Sequence, residues 1–271
     1  MPILQTVDFS VSLFSSATTF KSIVKNINIS LYRGQIFGLI GESGCGKTIT
    51  CLALMGFVNP PLGKSNGVVF VNGIPTVFSP TMRAPTYSGN DACMLFQNPR
   101  SSLNPVRRIR PQMLEVICLH KKNKNTNTAR VLEAEASLAE IGFENPAEIL
   151  NAYPHELSQG QCQLICIAMG LISSPAILIA DEPTSSLDPI SRSRILNLLQ
   201  QIANRNQIAI LMTSHDIGAV HKICDQVGVL FNEELIETGS AKRVLDNPKN
   251  PYTKQLICGY QNPLGITVND A

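Results

Sequence analysis

Eight consecutive residues constrain this chain more than any others. Gly41-Glu42-Ser43-Gly44-Cys45-Gly46-Lys47-Thr48 fits the pattern GxxxxGK[ST] at every fixed position. Backbone N–H groups wrap a triphosphate at close range only where glycine allows dihedrals that other residues resist. A loop of this kind ends at a helix N-terminus, whose free N–H groups and dipole favour anions. In that reading Lys47 reaches the β and γ phosphates and Thr48 offers its hydroxyl to Mg²⁺. The flanks agree. Residues 35–40 are a short apolar run that suits a strand buried on both faces, and residues 47–58 read as a helix. The bland alternative is a glycine-rich turn formed by chance, which the strand and helix on either side argue against.

A second constellation sits at the end of another apolar run. Residues 177–180 are followed by Asp181 and Glu182. Asp181 is placed to bind Mg²⁺ directly or through water. Glu182 falls one residue nearer the γ-phosphate, where a base for the attacking water is wanted. A strand ending in Asp-Glu is common by itself and is read as functional here because of the phosphate cradle.

Around these motifs the patterning changes along the chain. Ile3, Val7, Phe9 and Val11, then Ile23, Ile27, Ile29 and Leu31, alternate with polar residues, which predicts antiparallel strands. Residues 59–91 are rich in Pro, Gly, Asn and Ser, with one strand expected over 67–72. Residues 99–160 read as a helical insertion, with helical spacing at 113–117 and 129–141 and a polar loop at 121–128. Helices are expected at 158–172, 191–203 and 217–224, strands at 176–180 and 208–213, and a hairpin at 227–237. Alternating strands and helices favour a mostly parallel sheet. The fold class is therefore α/β, with an N-terminal antiparallel β subdomain and a helical insertion subdomain. Residues 1–245 are expected to form one domain, and 246–271 a short tail with a helical piece and a frayed end.

Composition excludes several functions. Of 271 residues, 44% are hydrophobic and 15% charged, enough to bury a core and too apolar for disorder. The net charge of +2 gives neither a nucleic-acid-binding stripe nor an acidic tail. Lys121, Lys122 and Lys124 lie among Asn and Thr and read as a solvated loop. No CxxC pair occurs among the eight cysteines; Cys162 and Cys166 are four apart without a second pair or a nearby His, so a zinc site is weak. A reducing compartment is expected. His120, His155, His215 and His221 have no metal-ligand spacing. Residues 1–14 lack a basic flank and an unbroken apolar core, so no leader is expected. The most apolar stretch, 164–180, is interrupted by Ser173-Ser174-Pro175 and is too short to span a bilayer. A membrane role would come through a partner.

Six motifs in order resemble the ABC-transporter ATPase family over roughly residues 5–240. Besides the cradle and the acidic strand end, Gln97 after Met94-Leu95-Phe96 resembles the Q-loop glutamine. Leu157-Ser158-Gln159-Gly160-Gln161 resembles the signature, usually LSGGQ. Ser185-Ser186-Leu187-Asp188 resembles the D-loop, and His215 the switch histidine. Alone, Gln97 would pass for any loop amide and His215 for a structural histidine.

The resemblance implies a RecA-like P-loop NTPase fold and an ATPase that uses ATP and Mg²⁺, working as half of a nucleotide-sandwiching dimer. Glu182, His215 and Gln97 are then the catalytic residues, and Thr48, Gln97 and Asp181 the Mg²⁺ ligands. Gly41 to Thr48 hold the nucleotide, with Phe20, or Phe14 behind it, stacking on adenine. Ser158, Gln159, Gly160 and Gln161 serve ATP on the partner, and Asp188 lies in the dimer D-loop. Gln159 departs from the usual glycine and puts a side chain close to where the partner's phosphates would lie.

Further segments resemble the oligopeptide, dipeptide and nickel importer branch: residues 97–105 (QNPRSSLNP), Tyr153-Pro154-His155-Glu156, and 247–253 (NPKNPYT). The short tail with Cys258 alone, residues 97–105 and Gly142-Phe143-Glu144-Asn145 look closest to the nickel-import ATPases; the alternative is a peptide importer. The branch implies a second ATPase subunit, two transmembrane permease subunits, an extracytoplasmic solute-binding protein, and a place on the cytoplasmic face of the cell membrane. Soluble ABC ATPases of DNA repair or translation carry a coiled-coil insertion or a second cassette, which this chain does not. A GTPase would need NKxD, also absent, and a kinase an acceptor pocket. A non-hydrolysing module fits poorly with Lys47, Asp181, Glu182 and His215.

Overall fold

The structure is a computed structural model that describes residues 1–15, 19–59, 62–78, 85–120 and 126–261. The period-2 segments at the N-terminus form β1 (Leu4–Phe14), β2 (Phe20–Ile27) and the short β3 (Ser30–Leu31). The apolar run before the phosphate cradle is β4 (Ile36–Ile40), with all five residues buried. Next come α1 (Lys47–Leu54), β5 (Gly63–Val71), β6 (Ile74–Phe78) and β7 (Ala92–Leu95). The helical insertion holds α2 (Pro99–Ser102), α3 (Ile109–His120), α4 (Asn127–Glu140) and α5 (Pro146–Asn151). It leads into α6 (Gln159–Ile172), β8 (Ile177–Asp181), α7 (Pro189–Asn206), β9 (Ala209–Ser214) and α8 (Ile217–Ile223). The last elements are β10 (Gln226–Phe231), β11 (Glu234–Ser240), α9 (Ala241–Asp246) and α10 (Pro251–Gln261).

Two sheets organise these elements. The N-terminal strands make an antiparallel sheet in the order β2-β1-β5-β6, with β3 paired to β1. The main sheet runs β11-β10-β4-β9-β8-β7, parallel throughout except for the antiparallel edge strand β11. Successive side chains of a strand point to opposite faces, and each face of the main sheet feeds a different core. Phe37, Leu39, Ile179 and Leu211 join a cluster with Phe9, Val24 and Leu54 of the antiparallel sheet and α1. Ile36, Ile40, Leu178 and Ile210 join a second cluster with Ile165, Leu199 and Val220 of α6, α7 and α8. Burial on both faces is why β4, β8 and β9 read as unbroken apolar runs.

Several expectations are corrected. The helix after the cradle stops at Leu54, not at 58. Gly56 takes φ 77°, its N–H bonds to Ala53 and that of Phe57 to Leu52, a left-handed cap that glycine accepts without a Cβ penalty. The strand expected over 67–72 begins at Gly63. Two strands were not foreseen. β6 is joined to β5 by Asn72-Gly73, both with positive φ, the preferred pair for a two-residue hairpin turn. β7 closes the edge of the main sheet beside β8. Lys121, Lys122 and Lys124, and the end expected to fray after residue 261, lie outside the described residues.

The C-terminal helix is packed, not loose. Thr253 and Ile257 of α10 are buried, and the Tyr252 ring stacks on Phe231 with centroids 3.7 Å apart. The Glu237 carboxylate accepts the N–H groups of Lys249 and Asn250, both at 3.0 Å, just before the helix starts. No helix among the described residues is long and apolar enough to cross a membrane.

Candidate active site

Parallel register brings the motifs together. β4 pairs with β9 and β9 with β8, so Ile40 lies opposite Ser214 and Asp181 opposite Thr213. The loops leaving the C-terminal ends of β4, β7, β8 and β9 therefore emerge on one edge of the sheet. In open parallel sheets, ligands bind outside this edge, where the strand order reverses. Here β4 is followed in sequence by a strand elsewhere and is flanked by β9 and β10. A cleft of about 520 Å³ opens at this edge, lined by Gly46, Lys47 and Thr48 from the cradle and by Gln97, Glu182 and His215 from the other loops.

The cradle begins at Gly41 and enters α1 at Lys47. Gly46 has φ 110°, and a Cβ there would come within 2.8 Å of Val24, so glycine meets both a backbone and a packing demand. The buried Lys47 ammonium donates to the carbonyls of Gly41 and Glu42, each at 2.8 Å. An anion in front of α1 would meet this ammonium, the free N–H groups of the helix start and its dipole.

Behind Lys47 lies a chain of oxygens. Asp181, 2% exposed, accepts the Thr48 hydroxyl at 3.0 Å and the Thr213 hydroxyl at 2.7 Å. Burial pushes the Asp181 carboxyl above its ordinary range, although those two hydroxyls and the Lys47 charge pull the other way. Glu182 follows with φ 43°, a left-handed conformation that is uncommon for a residue bearing a Cβ and is found at functional sites. Its N–H is held by the Thr213 hydroxyl at 2.9 Å.

The Glu182 carboxylate is where the remaining loops converge. One oxygen, Oε2, accepts the Gln97 amide at 3.1 Å and lies 3.1 Å from His215 Nδ1. Three residues far apart in sequence thus meet on one atom beside the cradle. A carboxylate so placed can take a proton from a water in the cleft.

The signature and D-loop residues lie together on a neighbouring exposed surface. Ser158 caps α6 by accepting the Gln161 N–H at 3.1 Å, while Gln161 accepts the Ser158 N–H at 2.8 Å, a reciprocal capping box. The Gln159 amide donates to Ser186 Oγ at 2.6 Å, within the same chain. A Cβ on Gly160 would meet the Ser191 hydroxyl at 2.8 Å. Asp188 caps α7 through the N–H groups of Ile190 and Ser191, both at 3.0 Å. The Ser191 hydrogen bond holds its carboxyl below the usual range. Arg100 donates to the Leu157 carbonyl at 2.7 Å and so ties the segment after Gln97 to the signature.

Phe20 does not join the cleft. It packs on Phe14 across the β1–β2 pair, with centroids 4.1 Å apart and the Lys64 ammonium over its ring. Ile23, three residues on, lines the cleft instead. Thr213 and Ile23 were not singled out from sequence as site residues, and Ser186 was read only as part of the D-loop segment 185–188. For Thr213 a signal existed in its place two residues before His215 at a strand end; for Ile23 there was none.

Known proteins match this chain. The family model for ABC transporter matches residues 24–185. The oligopeptide transport ATP-binding protein OppD of Lactococcus lactis subsp. cremoris (strain SK11) is 32% identical over 269 residues, 99% of this chain and 78% of that protein. The dipeptide transport ATP-binding protein DppD of Bacillus subtilis (strain 168) is 35% identical, over 91% of this chain and 74% of its own. The glutathione import ATP-binding protein GsiA of Escherichia coli O1:K1 / APEC is 36% identical, over 86% of this chain and 38% of its own. Among solved structures, the ATP-binding cassette MJ0796 bound to ADP and Pi superposes with a TM-score of 0.72 at 20% identity, over 88% of this chain and 98% of that one. That likeness supports the fold alone. With a family model over more than half of its length and near-full-length relatives above 30% identity, the chain belongs to the ABC transporter family, as an ATP-binding and ATP-hydrolysing subunit.

Proposed function

We propose that this chain powers solute import and that its solute is a small peptide. The relatives reported above are named for oligopeptide, dipeptide and glutathione transport. They support the peptide reading better than the nickel reading, which rests on the likeness of a few short segments. Uptake of a labelled dipeptide and of labelled nickel should be compared in cells with and without the gene. Loss of peptide uptake alone is expected; loss of nickel uptake alone would restore the nickel reading.

The observation that carries the hydrolytic mechanism is the meeting of Gln97 and His215 on one Glu182 oxygen at the mouth of the cradle. In our reading Gly41 to Thr48 wrap the phosphates of ATP, and Lys47 leaves the Gly41 and Glu42 carbonyls for phosphate oxygens. Glu182 takes a proton from the attacking water. The water oxygen bonds to the γ-phosphorus, the bond to the β–γ bridging oxygen breaks, and ADP and phosphate leave. His215 orients Glu182 and faces the γ-phosphate. The all-oxygen set of Thr48, Asp181 and Gln97 suits magnesium, and a cation there would oppose the burial that raises the Asp181 carboxyl. Thr48, Asp181 and Gln97 would hold the ion, which would supply positive charge against the phosphate charge.

A second ATPase subunit would cover the open cleft, and this chain's Ser158, Gln159, Gly160 and Gln161 would face the nucleotide on that partner, with Asp188 in the shared interface. Two permease subunits would hold the pair at the cytoplasmic face of the membrane, a solute-binding protein would deliver the peptide, and Gln97 and the helical insertion would transmit closure to the permeases. Residues 1–245 form the ATPase unit in this proposal, with 246–271 appended. The test of the assembly is co-purification of this chain with its permeases from detergent-solubilised membranes. Recovery only as a free chain, with no permease and no second ATPase, would count against it.

A further inference from the structure

Behind the Glu182–His215 pair lies a second cavity of about 220 Å³. It shares those two residues with the nucleotide cleft, and its far side is closed by Arg192, Asp216 and Tyr260. None of these three belongs to the motifs on which the proposed mechanism rests. Asp216 follows His215 directly. Its Oδ1 accepts the Ala219 N–H at 3.0 Å and the Tyr260 hydroxyl at 2.9 Å, and its Oδ2 pairs with Arg192 at 2.9 Å. Burial pushes the Asp216 carboxyl up, but the Ala219 N–H, the Tyr260 hydroxyl and Arg192 outweigh it and keep the group below its ordinary value. The loop carrying His215 is therefore pinned from two sides, by α7 and by the far end of α10.

We propose that Tyr260 is a positioning residue for ATP hydrolysis, a strap by which the C-terminal helix fixes Asp216 and so holds His215 against Glu182. The inference rests on the catalytic reading of Glu182 given above. Two further observations support it. Position 218 is glycine, and a Cβ there would lie 2.6 Å from the Tyr260 hydroxyl; the approach of the strap requires that bare position. The helix bearing Tyr260 is anchored at its other end, where Tyr252 stacks on Phe231 in a recess it shares with Glu42 of the cradle. About 12 Å of helix separates Tyr252 from Tyr260 at 1.5 Å per residue. One rigid element thus touches both the phosphate loop and the loop of His215.

The two contact residues give two independent ways to break one bond. Tyr260→Phe keeps the ring and removes the hydroxyl. Gly218→Ala keeps Tyr260 and displaces its hydroxyl, while alanine is the better helix former, so neither change threatens folding. The measurement is Mg-ATP turnover by the purified transporter complex carrying each variant, the double variant, or Glu182→Gln, with ATP affinity determined alongside. Each single variant is expected to lower kcat about three- to tenfold, the effect of about one hydrogen bond, with KM for ATP unchanged. The double variant should lose no more than either single one, because both remove the same contact. Wild-type kcat in Tyr260→Phe, a loss that appears in KM, or additive losses would each overturn the strap while leaving Glu182 as the base. Full turnover in Glu182→Gln would overturn the reading beneath it.

Discussion

Thr213 is the residue on which the site's geometry turns, and the motifs do not announce it. Its hydroxyl donates to Asp181 and accepts from the Glu182 N–H, so a single oxygen sets both carboxylates. Replacing it with valine conserves volume, strands the Glu182 N–H and removes a donor from buried Asp181. A loss of about 1–3 kcal/mol in unfolding free energy is expected, with a matching fall in turnover; an unchanged denaturant midpoint would contradict it. Gln159 is the opposite case. Its amide rests on exposed Ser186, so Gln159→Gly removes little structure and restores the commoner signature glycine. ATPase activity of the assembled transporter should stay level or rise, and a clear fall would argue that the Gln159–Ser186 contact is needed. What could be read at this scale was chemistry fixed by spacing: Lys47, Thr48, Asp181, Glu182 and His215 all lie on the cleft or directly behind it. Thr213 acts through register between two strands thirty-odd residues apart, about which a linear pattern says nothing. Phe20 packs on Phe14, because exposed aromatics on a strand pair satisfy one another, and it does not line the cleft.

The elements that were legible are those buried on one consistent face or, like β4, β8 and β9, on both. Helices α3 and α4 repeat their apolar residues at helical spacing, and Ile109, Met113 and Ile117 all reach the core. The elements missed were short or edge-lying. β6 exposes Ile74 and Val77, so its alternation carries no sign of a core, and only Asn72-Gly73 marked it. The end of α1 lay in Gly56, where the apolar run continues but the backbone turns left-handed. α10 is held by Glu237, a charged residue in an edge strand whose partners are two backbone N–H groups. Burial raises the Glu237 carboxyl, but those N–H groups, Thr253 and Arg243 outweigh it and lower its pKa. A carboxylate depressed in this way contributes stability above its unfolded pKa and loses it as pH falls through the folded one. Glu237→Gln should therefore lower thermal stability at neutral pH by about 1–2 kcal/mol. The gap to wild type should close in acid, below the usual carboxylate range. A gap that stays constant down to that range would show that the carboxylate's charge does not hold the helix.

The whole molecule gathers the cradle and Glu182 on one edge of its main sheet. Two sheets share α1 between them, and the parallel order β10-β4-β9-β8-β7 delivers four loops to the same side. The α/β class, the antiparallel N-terminal sheet and the helical insertion were all readable in the sequence, since they follow from whether apolar residues alternate, run on or repeat at helical spacing. The sheet order was not, since it depends on which strands pair. In the proposed assembly a second subunit would cover the cleft between the cradle and Glu182. The most direct measurement is Mg-ATP hydrolysis by the detergent-solubilised transporter complex, wild type against Glu182→Gln. Turnover should fall by at least about 100-fold in the variant, with ATP still bound and the two ATPase subunits held together. Equal turnover in both would move the chemistry to the second ATPase and leave this chain as a nucleotide-binding half without a working base.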